Sequence, residues 1–144
     1  MSYQPQTMNQ PMKRGPMRIT KNDIPAKIDV PGALARQATG FGDVSRYAEL
    51  GAEYFTLGAG TDIAPLLQGL DDDACHAPHW GFMLSGAVVV SYTDGTVESC
   101  VGDDLFYWPP GHSVRVVDDA EIILFSPQAE HGAVMDHMLA RMAG

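Results

Sequence analysis

Cationic side chains are scarce over most of this sequence. Residues 47–144 hold two, Arg115 and Arg141, against fifteen Asp/Glu, whereas residues 1–46 hold seven Lys/Arg against three Asp/Glu. A body this acidic repels nucleic acid and anionic membrane surfaces. It also has little with which to hold a phosphate or carboxylate unless a metal supplies the positive charge. Cysteine is nearly absent: Cys75 and Cys100 are the only two, too few for a disulfide framework. No apolar run approaches the roughly 20 residues that cross a bilayer. The segment Met1 to Pro16 has no apolar core and no cleavage site, which predicts a cytoplasmic protein. Gly58-Ala59-Gly60 opens no convincing helix, so there is no phosphate loop. Ser85-Gly86 lacks the context of a nucleophile elbow, and no serine-centred triad is readable.

What is present is one domain's worth of chain, 144 residues, 45% hydrophobic and 19% charged, ordinary for a soluble globular protein. Residues 1–17, rich in Gln, Met and Pro, show no periodicity and read as disordered or loosely draped. From Ile19 onward short strand-like runs alternate with turn residues. Ile24–Val30, Ala33–Gln37 and Glu53–Leu57 are candidate strands. Asp43 is a candidate cap for a short helix or turn reaching Leu50, and 62–70 reads as helical turns or loop. The Val- and aromatic-rich run Phe82–Tyr92 ends at Thr93-Asp94-Gly95, a strong hairpin signal because Gly supplies positive φ. Thr96–Val101 returns, Leu105–Trp108 follows, and Ser113–Val117 with Glu121–Phe125 predicts a further hairpin turning at Asp118-Asp119. Strands of this length between tight turns indicate an all-β sandwich or barrel spanning 18–127. After Ser126-Pro127, Val134, Met135, Met138, Leu139 and Met142 recur at helical spacing. They predict a C-terminal helix over 128–144 that covers the barrel or a second subunit.

Two segments carry the chemistry: Cys75-His76-Ala77-Pro78-His79-Trp80-Gly81, and Pro109-Pro110-Gly111-His112. Side chains alternate along a strand. A strand starting at His79 therefore puts His79, Gly81, Met83 and Ser85 on one face, and His112 shares a face with Val114 and Val116 opposite Arg115. His79 and His112 then both point into one lumen. Cys75 and His76 lie beside them, and Pro78 prevents parity from deciding between those two. The predicted metal ligands are thus Cys75, His76, His79 and His112. Imidazole with thiolate favours Zn²⁺, while Fe, Ni or Mn would also suit imidazole. Met83, Tyr107 and Trp108 are candidate pocket walls. Asp71-Asp72-Asp73 reads as a solvated loop or a support to the ligands. His131 and His137, six apart, are off the spacing that aims two ligands together from one helix, and read as surface residues.

These segments resemble the cupin superfamily, small jelly-roll barrels whose first motif runs from paired His through a Glu to a closing Gly. Gly86 matches that closing Gly, which puts His79 at the Glu position, Cys75 at the second His and Asp73 at the first. In the second motif Gly102-Asp103 and Pro109-Pro110-Gly111 match, and His112 stands two residues before the expected His position, now Val114, on the same strand face. The resemblance spans about residues 53–127. It is similar more narrowly to small bacterial cupins that carry a Cys, then Pro-His-Trp-Gly, then Pro-Pro-Gly-His. It implies the jelly-roll fold with a C-terminal α-helix, a divalent transition metal in a lumen open to a small molecule, and a homodimer. Whether the site is catalytic stays open at this level. The alternatives are a metal-dependent enzyme, a non-catalytic ligand-binding or accessory subunit of a larger enzyme, and a structural Zn²⁺ site.

Overall fold

The computed structural model describes residues 17–42 and 49–144. The turn or helix anticipated from Asp43 falls on 43–48, and most of the segment read as disordered falls on 1–16; both lie outside the described residues. Seven strands form one antiparallel sheet: β1 (Ala26–Val30), β2 (Ala33–Ala38), β3 (Leu50–Leu57), β4 (His79–Tyr92), β5 (Val97–Val101), β6 (Leu105–Trp108) and β7 (His112–Pro127). They are ordered β1-β2-β3-β7-β4-β5, with β6 paired to β4 beside β5. A short helix α1 (Ala64–Leu67) precedes β4, and helix α2 (Gln128–Ala143) follows β7. This is an all-β jelly-roll architecture with a terminal helix.

One difference from the sequence reading concerns β7. Asp118-Asp119 makes no hairpin; residues 112–127 form one continuous strand. Its even-numbered residues from His112 to Val116 and from Ala120 to Ser126 are buried, while 117–119 are exposed. Both Asp side chains project from a strand that bends rather than reverses. The bend is made by β4, whose pairing with β7 slips register between Met83 and Val88. Gly86 sits in that bulge at φ +88°, its backbone against Asp119 and Ala120. A bulge of this kind sharpens local twist and bends the paired strands. It folds the two ends of β7 back toward each other, so that His112 at one end and Ser126 at the other serve one chamber.

The core divides accordingly. Met83, Val88, Val90, Val116, Ile122 and Leu124 fill the inside of the sheet. Ile28, Ala35, Leu67 and Cys75 meet Val134, Met135 and Met138 of α2 in a second cluster that closes one end of the barrel. The methionine stripe therefore packs on the barrel of its own chain. Cys100 is buried and free, as is Cys75, and accepts a hydrogen bond from Trp108 Nε1 at 3.5 Å.

Candidate metal centre

Each functional side chain is placed by strand parity or by a short backbone clamp. His79 opens β4 facing inward, with Gly81 and Met83 behind it. His112 opens β7, buried with Val114 and Val116, while Arg115 is exposed on the other face. Cys75 is held against His112 by main-chain bonds: Cys75 N–H donates to the His112 carbonyl at 2.8 Å, and Gly111 N–H donates to the Cys75 carbonyl at 2.8 Å. The first turn of α2 brings in His131, which is buried among barrel residues. The rings lie edge to face, with centroids 4.3 Å apart for His79 and His131 and 4.9 Å apart for His79 and His112. Among the described residues, Cys75, His79 and His131 place ligand atoms within 4.8 Å of one another.

The hydrogen bonds fix the imidazole tautomers. Ser126 Oγ–H donates to Glu53 Oε1 at 2.5 Å, so its oxygen accepts from His79 Nδ1–H at 2.6 Å. His131 Nδ1–H donates to Glu53 Oε2. His112 Nδ1–H donates to the Pro109 carbonyl at 2.7 Å. In all three rings Nδ1 is thereby committed, and Nε2 is the nitrogen left for the cavity. His79 Nε2 is 3.7 Å from Cys75 Sγ. Imidazoles oriented by an outer carboxylate, hydroxyl or carbonyl are how proteins present Nε2 to a cation.

Burial then sets the protonation states. Desolvation, aided by the neighbouring imidazoles, holds His79 well below the ordinary histidine range. Desolvation likewise brings His112 down to about 4, against a smaller opposing effect of the Pro109 carbonyl. Burial pushes the Cys75 thiol up to about 11. At neutral pH His79 and His112 are thus held neutral and the Cys75 thiol protonated, so a cation meets lone pairs rather than protons on these two rings.

Glu53 is the charged residue of this region. It is 2% exposed and takes donors from Gln37 Nε2 at 3.0 Å, from Ser126 and from His131. Its two oxygens are occupied by these three groups. It acts behind His79 and His131 rather than facing the lumen.

The cavity beside these donors is ≈ 90 Å³. Besides Cys75, His79, His112 and His131 its walls are almost wholly apolar, from Phe55, Ile63, Leu66 and Trp108 to Met135 and Met142. Trp108 lines the cavity, its ring 6.0 Å edge-on from His79. Met83 is fully buried in the sheet interior and is not a wall. Tyr107 is corrected outright. It alternates outward on β6, half exposed, and stacks on Trp80 at 5.2 Å on the outer face. His76 is corrected too: it is exposed, donating from Nε2 to the Asp71 carbonyl at 2.9 Å with Asp72 3.4 Å away. Asp71–Asp73 is an exposed turn that holds His76 away from the lumen. Of the two tail histidines read as surface residues, His137 is half-buried and donates to the Gln68 carbonyl at 2.7 Å, whereas His131 is in the centre itself.

Three residues at the site escaped the sequence reading, and each carried a signal. His131 falls on the same helical stripe as Val134, Met135, Met138 and Met142. Glu53 shares strand parity with Phe55 and Leu57, an acid on an apolar face. Ser126 shares parity with Ile122 and Leu124 on β7.

No protein-family model matches the sequence, and no curated protein matches it. Solved structures do resemble the fold. An oxalate decarboxylase mutant from Bacillus subtilis aligns with a TM-score of 0.57 at 20% identity over 78% of this chain and 29% of its own. The oxalate decarboxylase of Lactobacillus farciminis, as a formate complex, gives 0.58 at 18% over 83% of this chain and 35% of its own. An RmlC-like cupin from Shewanella frigidimarina gives 0.53 at 18% over 81% and 95%. This chain thus spans about a third of the length of the decarboxylases and nearly all of the RmlC-like cupin. At these identities the likeness is one of fold, the cupin-type jelly roll.

Proposed function

We propose that this chain is a cupin metalloprotein whose barrel holds one divalent transition metal on Cys75, His79 and His131, with His112 beside them, next to a chamber for a small molecule. The observation that carries this reading is the tautomer pattern. Three imidazoles have Nδ1 tied to acceptors, leaving three Nε2 atoms and a thiol at one apolar cavity. The Cys75 thiol stands 3.7 Å from His79 Nε2. The mixed nitrogen and sulfur set favours Zn²⁺, with Fe²⁺, Ni²⁺ and Mn²⁺ as rivals. When bound, the metal would supply a Lewis acid next to the cavity. The chain's own residues would orient the ligands through Glu53, Ser126 and the Pro109 carbonyl, while the apolar wall excludes water. Among the described residues no acidic side chain borders the chamber, which disfavours a hydrolase. The chamber beside the donors favours an open site over a closed structural one, and cupin enzymes such as the decarboxylases above provide the precedent for a catalytic role.

Elemental analysis of the full chain, reconstituted with each metal, tests the reading. The expected result is about one metal per chain in the wild type, lost in His79→Ala and His131→Ala and retained in His76→Ala. A wild type that binds none of the four metals overturns it.

A second reading, as a ligand-binding or docking subunit, is favoured by one feature, the exposed aromatic face around Trp80 and Tyr107. We place the homodimer contact there. In this reading the metal site senses or stabilises rather than transforms.

A further inference from the structure

The chamber's lining bears on what enters it. Among the described residues no Lys or Arg borders the cavity, and besides the four metal-site residues only Thr61 and the Trp108 indole bring polar groups to its wall. Of the described cations on nearby elements, Arg115 points to the outer face of β7 and three others are engaged elsewhere. Arg36 donates to the carbonyls of Asn22 and Ile24. Arg141 donates to the Pro65 carbonyl and Gln68 Oε1, and Lys27 pairs with Asp136 at 2.7 Å. Behind His79 and His131 stands the carboxylate of Glu53, buried and shared among three donors. Across the ligand rings it would offset part of a bound metal's positive charge.

We infer that the site takes small uncharged molecules and discriminates against carboxylates and other anions. This deepens the metal reading proposed above and rests on it. Charge and size both decide it. An anion entering the chamber would be stripped of water, with no guanidinium or ammonium to receive it and a buried carboxylate nearby. A neutral donor loses far less on desolvation and gains contact with the apolar wall. At ≈ 90 Å³ the chamber is well below the roughly 300–1,000 Å³ of drug-sized sites, so the ligand has only a few non-hydrogen atoms. The consequence is a difference from the structural neighbours named for oxalate: a likeness of fold does not carry their substrate here.

The test uses the full-length protein loaded with Co²⁺, whose visible spectrum reports the ligands directly. Acetate, oxalate and azide are titrated beside the neutral molecules acetamide, pyrazole and imidazole. The expected result is a spectral change with at least one neutral molecule, at a concentration at least about tenfold lower than any of the anions requires. Leu66→Arg, which sets a cation in the chamber wall, is expected to narrow or reverse that order. Anions binding as well as the neutral set, or no molecule changing the spectrum, overturns the inference while leaving the metal site intact. Failure to acquire the Co²⁺ spectrum at all overturns the metal reading itself and this inference with it.

Discussion

Glu53 holds the two halves of the site together, because one carboxylate orients a strand histidine through Ser126 and a helix histidine directly. Glu53→Gln keeps the shape but turns one acceptor into a donor facing Ser126 or His131. It is expected to cost about 1–3 kcal/mol of stability through the donor left unpaired, measured by denaturant unfolding. It should also weaken metal binding about 10- to 100-fold, the usual effect of losing an outer partner of a ligand, measured by metal titration. The pH dependence follows from the buried rings. Unfolded histidine titrates near 6.5, and in the folded chain His79 and His112 sit below that, His112 at about 4. Their neutral forms therefore favour the folded state above about pH 6.5, and that contribution is lost as pH falls from there toward 4. Thermal unfolding of the metal-free protein should show stability declining through this window by about 1.4 kcal/mol per pH unit for each histidine; a flat profile would contradict their burial. Cys75, raised to about 11, stays protonated at neutral pH until a metal takes its place. Calorimetry in buffers of differing ionisation heat should record release of about one proton per metal at pH 7–8. Of this site, His79 and His112 are legible from strand parity, and Cys75 from its closeness to His79 and its place at a histidine position of the motif. His131 is not, because no other helix residue stands at the spacing that aims two ligands together. Its partners come from strands some fifty to eighty residues earlier, a long-range relation that local spacing does not encode.

Among the elements, the bulge in β4 decides how the rest is arranged. A Cβ on Gly86 would meet the Asp119 carbonyl oxygen at 2.2 Å and the Ala120 Cα at 2.6 Å, at a φ of +88°. Neither neighbour can rotate away, since both are main chain. Gly86→Ala should destabilise the fold by about 3 kcal/mol or more from overpacking and backbone strain together, read as a fall in melting temperature or as loss of soluble protein. The same bulge explains why β7 was misread as a hairpin. Two aspartates between apolar runs look like a turn, but here they occupy the outer side of a bend forced by the strand alongside, which residues 112–127 alone do not reveal. The Asp94-Gly95 turn was legible because both strands and the glycine lie in one short window. Helix α2 was legible from its stripe, and its role now depends on packing that stripe over the chamber. Met135→Ala, at a fully buried position, should cost about 2–4 kcal/mol. It should enlarge the chamber without removing a ligand, so the metal content is expected to hold while the range of neutral ligands widens.

At the scale of the whole molecule, the inward-facing chemistry has an outward counterpart. Trp80 is 49% exposed and Tyr107 50%, and Leu105 reaches 84%. The pairings Trp80↔Tyr107, Phe82↔Leu105 and Trp80↔Phe125 set these residues side by side across β6, β4 and β7. A contiguous apolar face of this kind marks an interaction surface more often than a solvated one. Because side chains alternate, the strand that points His79 at the chamber points Trp80 at this face, so the two can be tested apart. Trp80→Glu and Leu105→Glu should leave metal content unchanged and convert a dimer to a monomer in sedimentation velocity. The net charge of −9 sharpens the expectation. Two such chains repel at long range, and salt screens that repulsion over a Debye length of about 10 Å at 0.1 M. Association through an apolar face should therefore strengthen as salt is raised, whereas association between the basic residues 1–46 of one copy and the acidic body of another should weaken. A wild type that stays monomeric at high concentration and high salt would remove the dimer and leave the face to a different partner.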